Sequence, residues 1–288
     1  MSRELTSRHF DAFGSTCELL SLGSGQAALE RCEQRVREAE GRFTRFLRDS
    51  ELGELNAGDG RYVPVSPEMF AMLEAALWAY QESQGLVNAA VLPALMSAGY
   101  DRPFRQGLSE PAQANPVQVP ALPDVLILDP GTRSVALAPG AALDLGGIAK
   151  GALADILIDE LGDNAVCNLG GDLRIRGGGP EGDGWHIALC DRSAVALSEG
   201  AVCTSGVTRR RWGQSMHHLI DPRTGMPVKT DLAEVSVVTD SALRGEIYAK
   251  CAMLLGAAAG KAFLQARGVH FAAVPALGAG AAVLPAAA

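Results

Sequence analysis

Several things are scarce in this sequence. Aromatic residues make up 5% of its 288 positions, and 25 Lys and Arg are outnumbered by 33 Asp and Glu, for a formal net charge of −8. A nucleic-acid partner needs a basic face to neutralise phosphates, so none is expected. A small anionic ligand is still open, because a local cradle of ammonium and backbone N–H groups can form in an acidic chain. No uncharged stretch reads as a membrane span, and MSRELTSRHFDAFGSTCELL at the start has no apolar signal core. A cytoplasmic protein without an export signal or membrane span is therefore expected. Cys17, Cys32, Cys167, Cys190, Cys203 and Cys251 show neither a CxxC nor a Cys/His spacing, which favours buried free thiols over disulfides or zinc. The phosphate loops GxxxxGK[ST] and GxGxxG are absent too.

What the chain does have is 48% hydrophobic residues and 33 glycines, many of them beside strand-like runs. Its length suits one large domain or two intimately packed lobes. An opening strand pair is expected over 8–22 around FGST, followed by an exposed amphipathic helix over 25–43. RYVPV reads as a short strand. Ser66 at the N-cap, Pro67 at the first helical position and Gly85 beyond the end bracket a second helix. Residues 101–123 read as a long loop or flap. After it come strand-like runs, DVLILD, SVALA, NAVCNLGGDLRIRG, GWHIALC, AVALS, AVCTSG and EVSVVTD, interrupted by GIAKGALADILIDELG, LRGEIYAKCAMLLG and AAAGKAFLQARG as helices. Grouped strands and grouped helices predict an α+β fold with a mostly antiparallel sheet. The Ala-rich end, 276–288, is broken by Gly and Pro and reads as a tail or edge strand.

Three stretches look chemical. In LDLGGIAKGALAD (143–155) a strand is expected to end at Asp144, two glycines allow close backbone approach, and Lys150 falls in the first turn of a helix. That is the physics of an anion cradle, although a plain strand–turn–helix with a surface lysine fits as well. In NLGGDLRIRG (168–177) two glycines and Asp172 interrupt what reads as a strand, as they would where a ligand comes close. In HHLIDPRTGMP (217–227) Asp221-Pro222 and Thr224-Gly225 make a turn, and His218 enters it, where an imidazole can be structural or a general acid or base.

Taken in order, FGST, RFLRDSELGELN, GLVNAAVLPAL, LDLGGIAKGALAD, NLGGDLRIRG, TSG and HLIDPRTG resemble the ApbE family, the FAD:protein FMN transferases. The resemblance runs from about residue 10 to 270 and implies a single ApbE-like domain over 1–288. It also implies two joined lobes with a flavin cleft between them. The activity implied is transfer of FMN from FAD to a Thr or Ser hydroxyl of an acceptor flavoprotein, with release of AMP and Mg²⁺ assisting at the pyrophosphate. Phe13 stands where the family has a flavin-contacting Met, and Phe46 where it often has Tyr. Ser50, Glu51, Leu52 and Asn56 match the DSExxxxN motif, with Asn56 near the chemistry. Asn88 replaces the family's Asp in its GxFD segment. Asp144, Lys150 and Ile220 match FAD contacts, His218 matches the histidine implicated in activity, and Asp221 is a second carboxylate beside it.

The implied metal ligands are Glu246, the carbonyl of Gly147 and backbone at Ala249. Here the chain departs from the pattern. Lys250 stands where the family carries a Thr ligand, and a protonated lysine has no lone pair for Mg²⁺. Its ammonium can instead lie against the FAD pyrophosphate and pair with Glu246. Glu before Lys at i,i+4 is also the favourable order for an ordinary surface pair. Three functions therefore stand side by side: an FMN transferase, an FAD-binding protein in which Lys250 replaces the metal, and an FAD pyrophosphatase.

Overall fold

Apolar and polar side chains alternate along residues 5–22, and in the computed structural model they form a hairpin of β1 (Leu5–Ala12) and β2 (Ser15–Leu22). The structure describes residues 4–111 and 114–276, and it divides the chain into two units. One unit draws on Met1–Glu38, Lys150–Thr208 and Thr230–Ala288, the other on Ala39–Ala149 and Arg209–Lys229.

The first unit is built on a seven-stranded sheet. After β1 and β2 come β3 (Ala165–Leu169), β4 (Asp172–Arg176), β5 (Glu199–Gly206), β6 (Leu232–Thr239) and β7 (His270–Pro275). The strands lie in chain order, each antiparallel to the next. Gly170 and Gly171 join β3 to β4 as a two-residue turn with φ of 69° and 102°, a conformation that side chains with a Cβ resist. Asp172 therefore opens a strand rather than interrupting one, and the two glycines are explained by the turn.

One face of this sheet, with Val166, Ile175 and Val202, is covered by the hairpin of Trp185–Ala188 and Ala194–Leu197. Against the sheet also lies α3 (Ala242–Gln265); earlier in the chain come the helices α1 (Gln26–Phe43) and α2 (Ala149–Leu161). Contact between α3 and β5 is close: the Cys203 thiol donates to the Ala242 carbonyl at 3.2 Å, and a Cβ on Gly245 would sit 2.8 Å from that sulfur. Each fully buried side chain such as Leu19, Leu157 or Ile247 contributes about 1.5–3 kcal/mol. At Gly256 (φ 80°, ψ 176°) α3 is broken, so the two helices expected over 243–268 meet there. By length and composition α3 is apolar enough to cross a membrane, but half of its apolar window is buried in the protein.

The second unit carries helices at Glu51–Asn56, Pro67–Glu82 and Leu92–Ser97 and a small sheet in which Ser134–Leu137 lies between Val63–Pro64 and Leu126–Asp129. Ser66 caps the Pro67–Glu82 helix as expected, accepting from the Met69 amide at 3.1 Å, and Gly85 follows it at φ 84°. Its core gathers Ala94, Leu95, Tyr100, Trp212 and Ile220. The described part of the stretch 101–123 is mostly irregular, with a turn at Phe104–Gln106 and a helical turn from Leu122. Beyond Ala276, the Ala-rich end lies outside the described residues. No strand ends at Asp144, because 138–148 is irregular: the Asp144 amide donates to the Ala89 carbonyl (2.8 Å) instead of a neighbouring strand.

Candidate active site

In the first unit, α2 begins just after a turn at 146–148, which puts Lys150 at its second position and Gly151 at its third. Glu246 lies one turn into α3, and Lys250 stands one turn further along the same face. These elements bring four charges together. Lys150 is hydrogen-bonded to Asp172 at the start of β4, and its Nζ also donates to Glu246 Oε1 at 3.1 Å. Lys250 Nζ donates to the same Oε1 at 3.1 Å, while Glu246 Oε2 accepts from the Gly151 amide at 2.9 Å. Side-chain exposure is 2% for Glu246, 4% for Asp172, 11% for Lys150 and 16% for Lys250, so this is no solvated surface pair.

Two carboxylates and two ammonium groups make the quartet neutral, yet the carboxylates fare differently. Burial opposes the charge on Glu246, but Lys150, Lys250 and the Gly151 amide outweigh it and bring its pKa down to about 2. Asp172 is pushed up, by burial first and by the negative charge of Glu246 second. Burial also holds the neighbouring Cys203 thiol well above its ordinary range, with Asp172 and Glu246 adding to the effect. It is an inert, protonated thiol.

The helices that carry the quartet are tied in both directions. Asp155 of α2 accepts from the Ala242 and Leu243 amides and from Ser241 Oγ at 2.8–2.9 Å, satisfying the free first turn of α3. Glu246 of α3 does the same for the first turn of α2 through Gly151. Each carboxylate thus sits at the positive end of the other helix. A Cβ on Gly151 would lie 2.6 Å from the Ala242 carbonyl oxygen, so glycine permits this approach.

The second unit organises its residues around Arg45. Its guanidinium lies over the Phe46 ring at 4.2 Å and the Tyr100 ring at 4.7 Å, donates to Asp144 Oδ2 at 2.6 Å and donates to the Tyr100 carbonyl at 2.7 Å. Asp144 also accepts from the Gly146 amide at 2.8 Å, which shapes the turn containing Gly147. Asn56 clamps the preceding residue, donating to the Leu143 carbonyl (3.0 Å) and accepting from its amide (2.8 Å). Ser50 caps the Glu51–Asn56 helix at the Gly53 amide, Glu51 accepts from the Ser66 amide at 3.0 Å, and Leu52 is fully buried. Of the DSExxxxN residues, Asn56 holds the backbone before Asp144, while Ser50, Glu51 and Leu52 fix the short helix that carries it.

Asn88 is buried and uses both ends of its amide, on the Ala90 amide (2.9 Å) and the Pro120 carbonyl (2.8 Å). Ile220 belongs to the unit's apolar core, and His218 is half-buried between two short strand pairs. Asp221 is buried and held by Arg223 through Nε and Nη2, both at 2.8 Å, as well as by the Arg223 amide. That leaves it a turn-forming role rather than a free base. Phe13 occupies the β1–β2 turn at φ 52°, half-buried, and Ala249 is fully buried within α3.

Sequence reasoning gave no role to Asp172 or Arg45, although both stand inside quoted motifs. A carboxylate directly after a Gly-Gly turn and an arginine directly before an aromatic were the available signals. Lys150, Glu246 and Lys250 are brought together; Phe46 and Asp144 are linked through Arg45.

Comparison with known proteins gives a consistent picture. Residues 13–274 match the family described as ApbE family. A protein of Klebsiella pneumoniae named FAD:protein FMN transferase is 33% identical over 271 residues, covering 86% of this chain and 82% of its own length. One of Treponema pallidum with the same name is 31% identical over 260 residues, covering 80% and 72%. Among solved structures, the ApbE protein of Thermotoga maritima aligns with a TM-score of 0.81 at 21% identity, over 94% of both chains. The apo flavinyl transferase ApbE of Pseudomonas stutzeri gives 0.81 at 23%, over 96% of this chain and 93% of its own. The structural likenesses establish the α+β fold.

Proposed function

The chain belongs to the ApbE family, and from that premise we propose that it transfers FMN from FAD to a Thr or Ser hydroxyl of an acceptor flavoprotein, releasing AMP. What supports this most is the family match over 13–274, which takes in every motif from Phe13 to Lys250, together with relatives that carry the transferase name.

In this reading the acceptor oxygen forms a bond to the flavin-side phosphorus of FAD. The bond from that phosphorus to the bridging oxygen breaks, and AMP leaves with the electron pair. His218 takes the hydroxyl proton and passes it to solvent. Phe13 and Phe46 offer rings for the flat parts of FAD. Lys150 lends positive charge at the start of α2, where phosphate is favoured. Asp144, Asn88 and Ile220 contact the dinucleotide, and Asn56 fixes the backbone beneath Asp144.

Mg²⁺ is the part that the residues do not fit. Glu246 already accepts from two ammonium groups and an amide, and Asp172 is engaged by Lys150. Among the described residues no group of three or more His, Cys, Asp or Glu could hold a metal ion. The carbonyl of Gly147 and backbone at Ala249 offer weak ligands without an available carboxylate.

The test is to incubate the protein with FAD and a flavoprotein carrying a Thr/Ser flavinylation motif, and to follow AMP and covalent FMN on the acceptor. Both products are expected. FAD retained without AMP would identify a flavin-binding protein, and AMP with free FMN a pyrophosphatase.

A further inference from the structure

We propose that Lys250 does in this chain the charge-neutralising work of a divalent cation, so that FAD is bound, and AMP released, without metal. The proposal deepens the FMN-transfer reading and rests on it.

Three observations carry it. First, three donors already crowd Glu246: Oε1 accepts from both Lys150 and Lys250, and Oε2 from the Gly151 amide, so a metal would have to bind beside two ammonium groups. Second, Lys250 has donors to spare. An ammonium offers three N–H groups, and among the described residues the one hydrogen bond of Lys250 Nζ goes to Glu246. Its side chain keeps 16% of its surface open, the largest share in the quartet. An ammonium anchored by one bond, with two donors left, can donate to phosphate oxygens. Third, charge decides the sign. Lys150, Asp172 and Glu246 alone would present one net negative charge to a pyrophosphate, whereas Lys250 brings the cluster to neutrality and supplies the donors. A further divalent cation at Glu246 would face two ammonium groups and be repelled.

The experiment reads FAD affinity by flavin fluorescence, in EDTA and in Mg²⁺, and Mn²⁺ binding by EPR on the chain without FAD. Wild type, Lys250→Met and Lys250→Thr are compared. Wild-type affinity is expected to be equal in EDTA and Mg²⁺, with no bound Mn²⁺. Lys250→Met should lose about tenfold or more in FAD affinity, the worth of a hydrogen bond to a charged group. Lys250→Thr, with a hydroxyl in place of a cation, should gain Mn²⁺ binding and a Mg²⁺-dependent FAD affinity. A tenfold loss of wild-type FAD affinity or AMP release in EDTA, restored by Mg²⁺, would overturn the proposal and leave the transferase reading standing. So would a folded Lys250→Met that binds FAD as wild type does. Metal-independent FAD binding that needs Lys250 but yields no AMP with any acceptor would sink the transferase reading and with it the AMP-release half of the proposal, and would leave the role of Lys250 in FAD binding standing. The EDTA comparison uses the unaltered chain, so it decides even if both variants misfold.

Discussion

Replacing Glu246 by Gln removes the carboxylate that both Lys150 and Lys250 share, while nearly keeping its shape. The quartet then holds two ammonium groups and Asp172, one uncompensated positive charge among side chains that are 2–16% exposed. Taking one partner out of a buried ion pair costs about 3–5 kcal/mol, because the charge left behind has lost both solvent and counter-ion. The Gly151 amide can still find the Gln oxygen, so the helix tie itself survives. In a chain of this size each kcal/mol moves the melting temperature by about 2–4 °C, which predicts a fall of about 10 °C. Adding Lys250→Met restores balance, since Lys150 and Asp172 then face each other alone. The double variant should recover about 2 kcal/mol relative to the single, a coupling that a double-mutant cycle in urea reads directly. Acidity gives a second readout. Glu246 is held at about 2, below its ordinary 4.5, so its stabilisation is full above pH 4.5 and fades as pH falls towards 2. Glu246→Gln should lack that part of the acid limb. A single variant within about 1 kcal/mol of wild type, or one no less stable than the double, would refute the electrostatic account.

Gly151→Ala drives a Cβ to 2.6 Å from the Ala242 carbonyl oxygen, so α2 and α3 must part; melting should drop and FAD affinity, measured by fluorescence, should fall with it. Asp155→Ala strips the cap from three donors of α3 and should cost about 1–2 kcal/mol in urea denaturation. His217 is buried with one ring nitrogen on the Val228 carbonyl (3.0 Å) and the other accepting from the Leu219 amide (3.3 Å), and burial pushes its pKa below 6.5. The unfolded chain therefore binds the proton first, so this contribution is present above pH 6.5 and lost as pH falls below it. A stability profile over pH 5–8 should show that slope in wild type and a flatter one in His217→Gln.

The elements were largely legible because local rules fix them. Period-two alternation gives the 5–22 hairpin, Ser66-Pro67 marks a helix start by side-chain capping, and Gly256 ends an apolar helix by its backbone freedom. Asp144 misled because ALDL reads as strand, whereas a clamp from Asn56 and a bond to Ala89 hold it irregular. Such contacts span 87 residues in the case of Asn56 and Leu143 and leave no local trace. The charged site was half legible. Glu246 and Lys250 declare each other by i,i+4 spacing within an apolar helix, but Lys150 reaches Glu246 across 96 residues. Nothing in GGD alone says that Asp172 will meet an ammonium.

The backbone contacts under the quartet are made without Lys250, and that gives changes there their meaning. α3 is fixed at its start by Asp155 and by the close seat of Gly245 on Cys203; β4 is fixed by the Gly170–Gly171 turn; α2 is fixed to α3 where Gly151 meets Ala242. Among the described residues, Lys250 adds to these one hydrogen bond, at the most open corner of the cluster. Glu246, by contrast, serves three donors and is part of the tie between helices. The two members of one i,i+4 pair therefore have different work. Changing Glu246 tests how the helices and charges are held together, whereas changing Lys250 alters the charge offered to a ligand with the supporting contacts intact. A loss of FAD affinity in Lys250→Met without loss of cooperative unfolding follows from that asymmetry, and no purely structural salt bridge would give it.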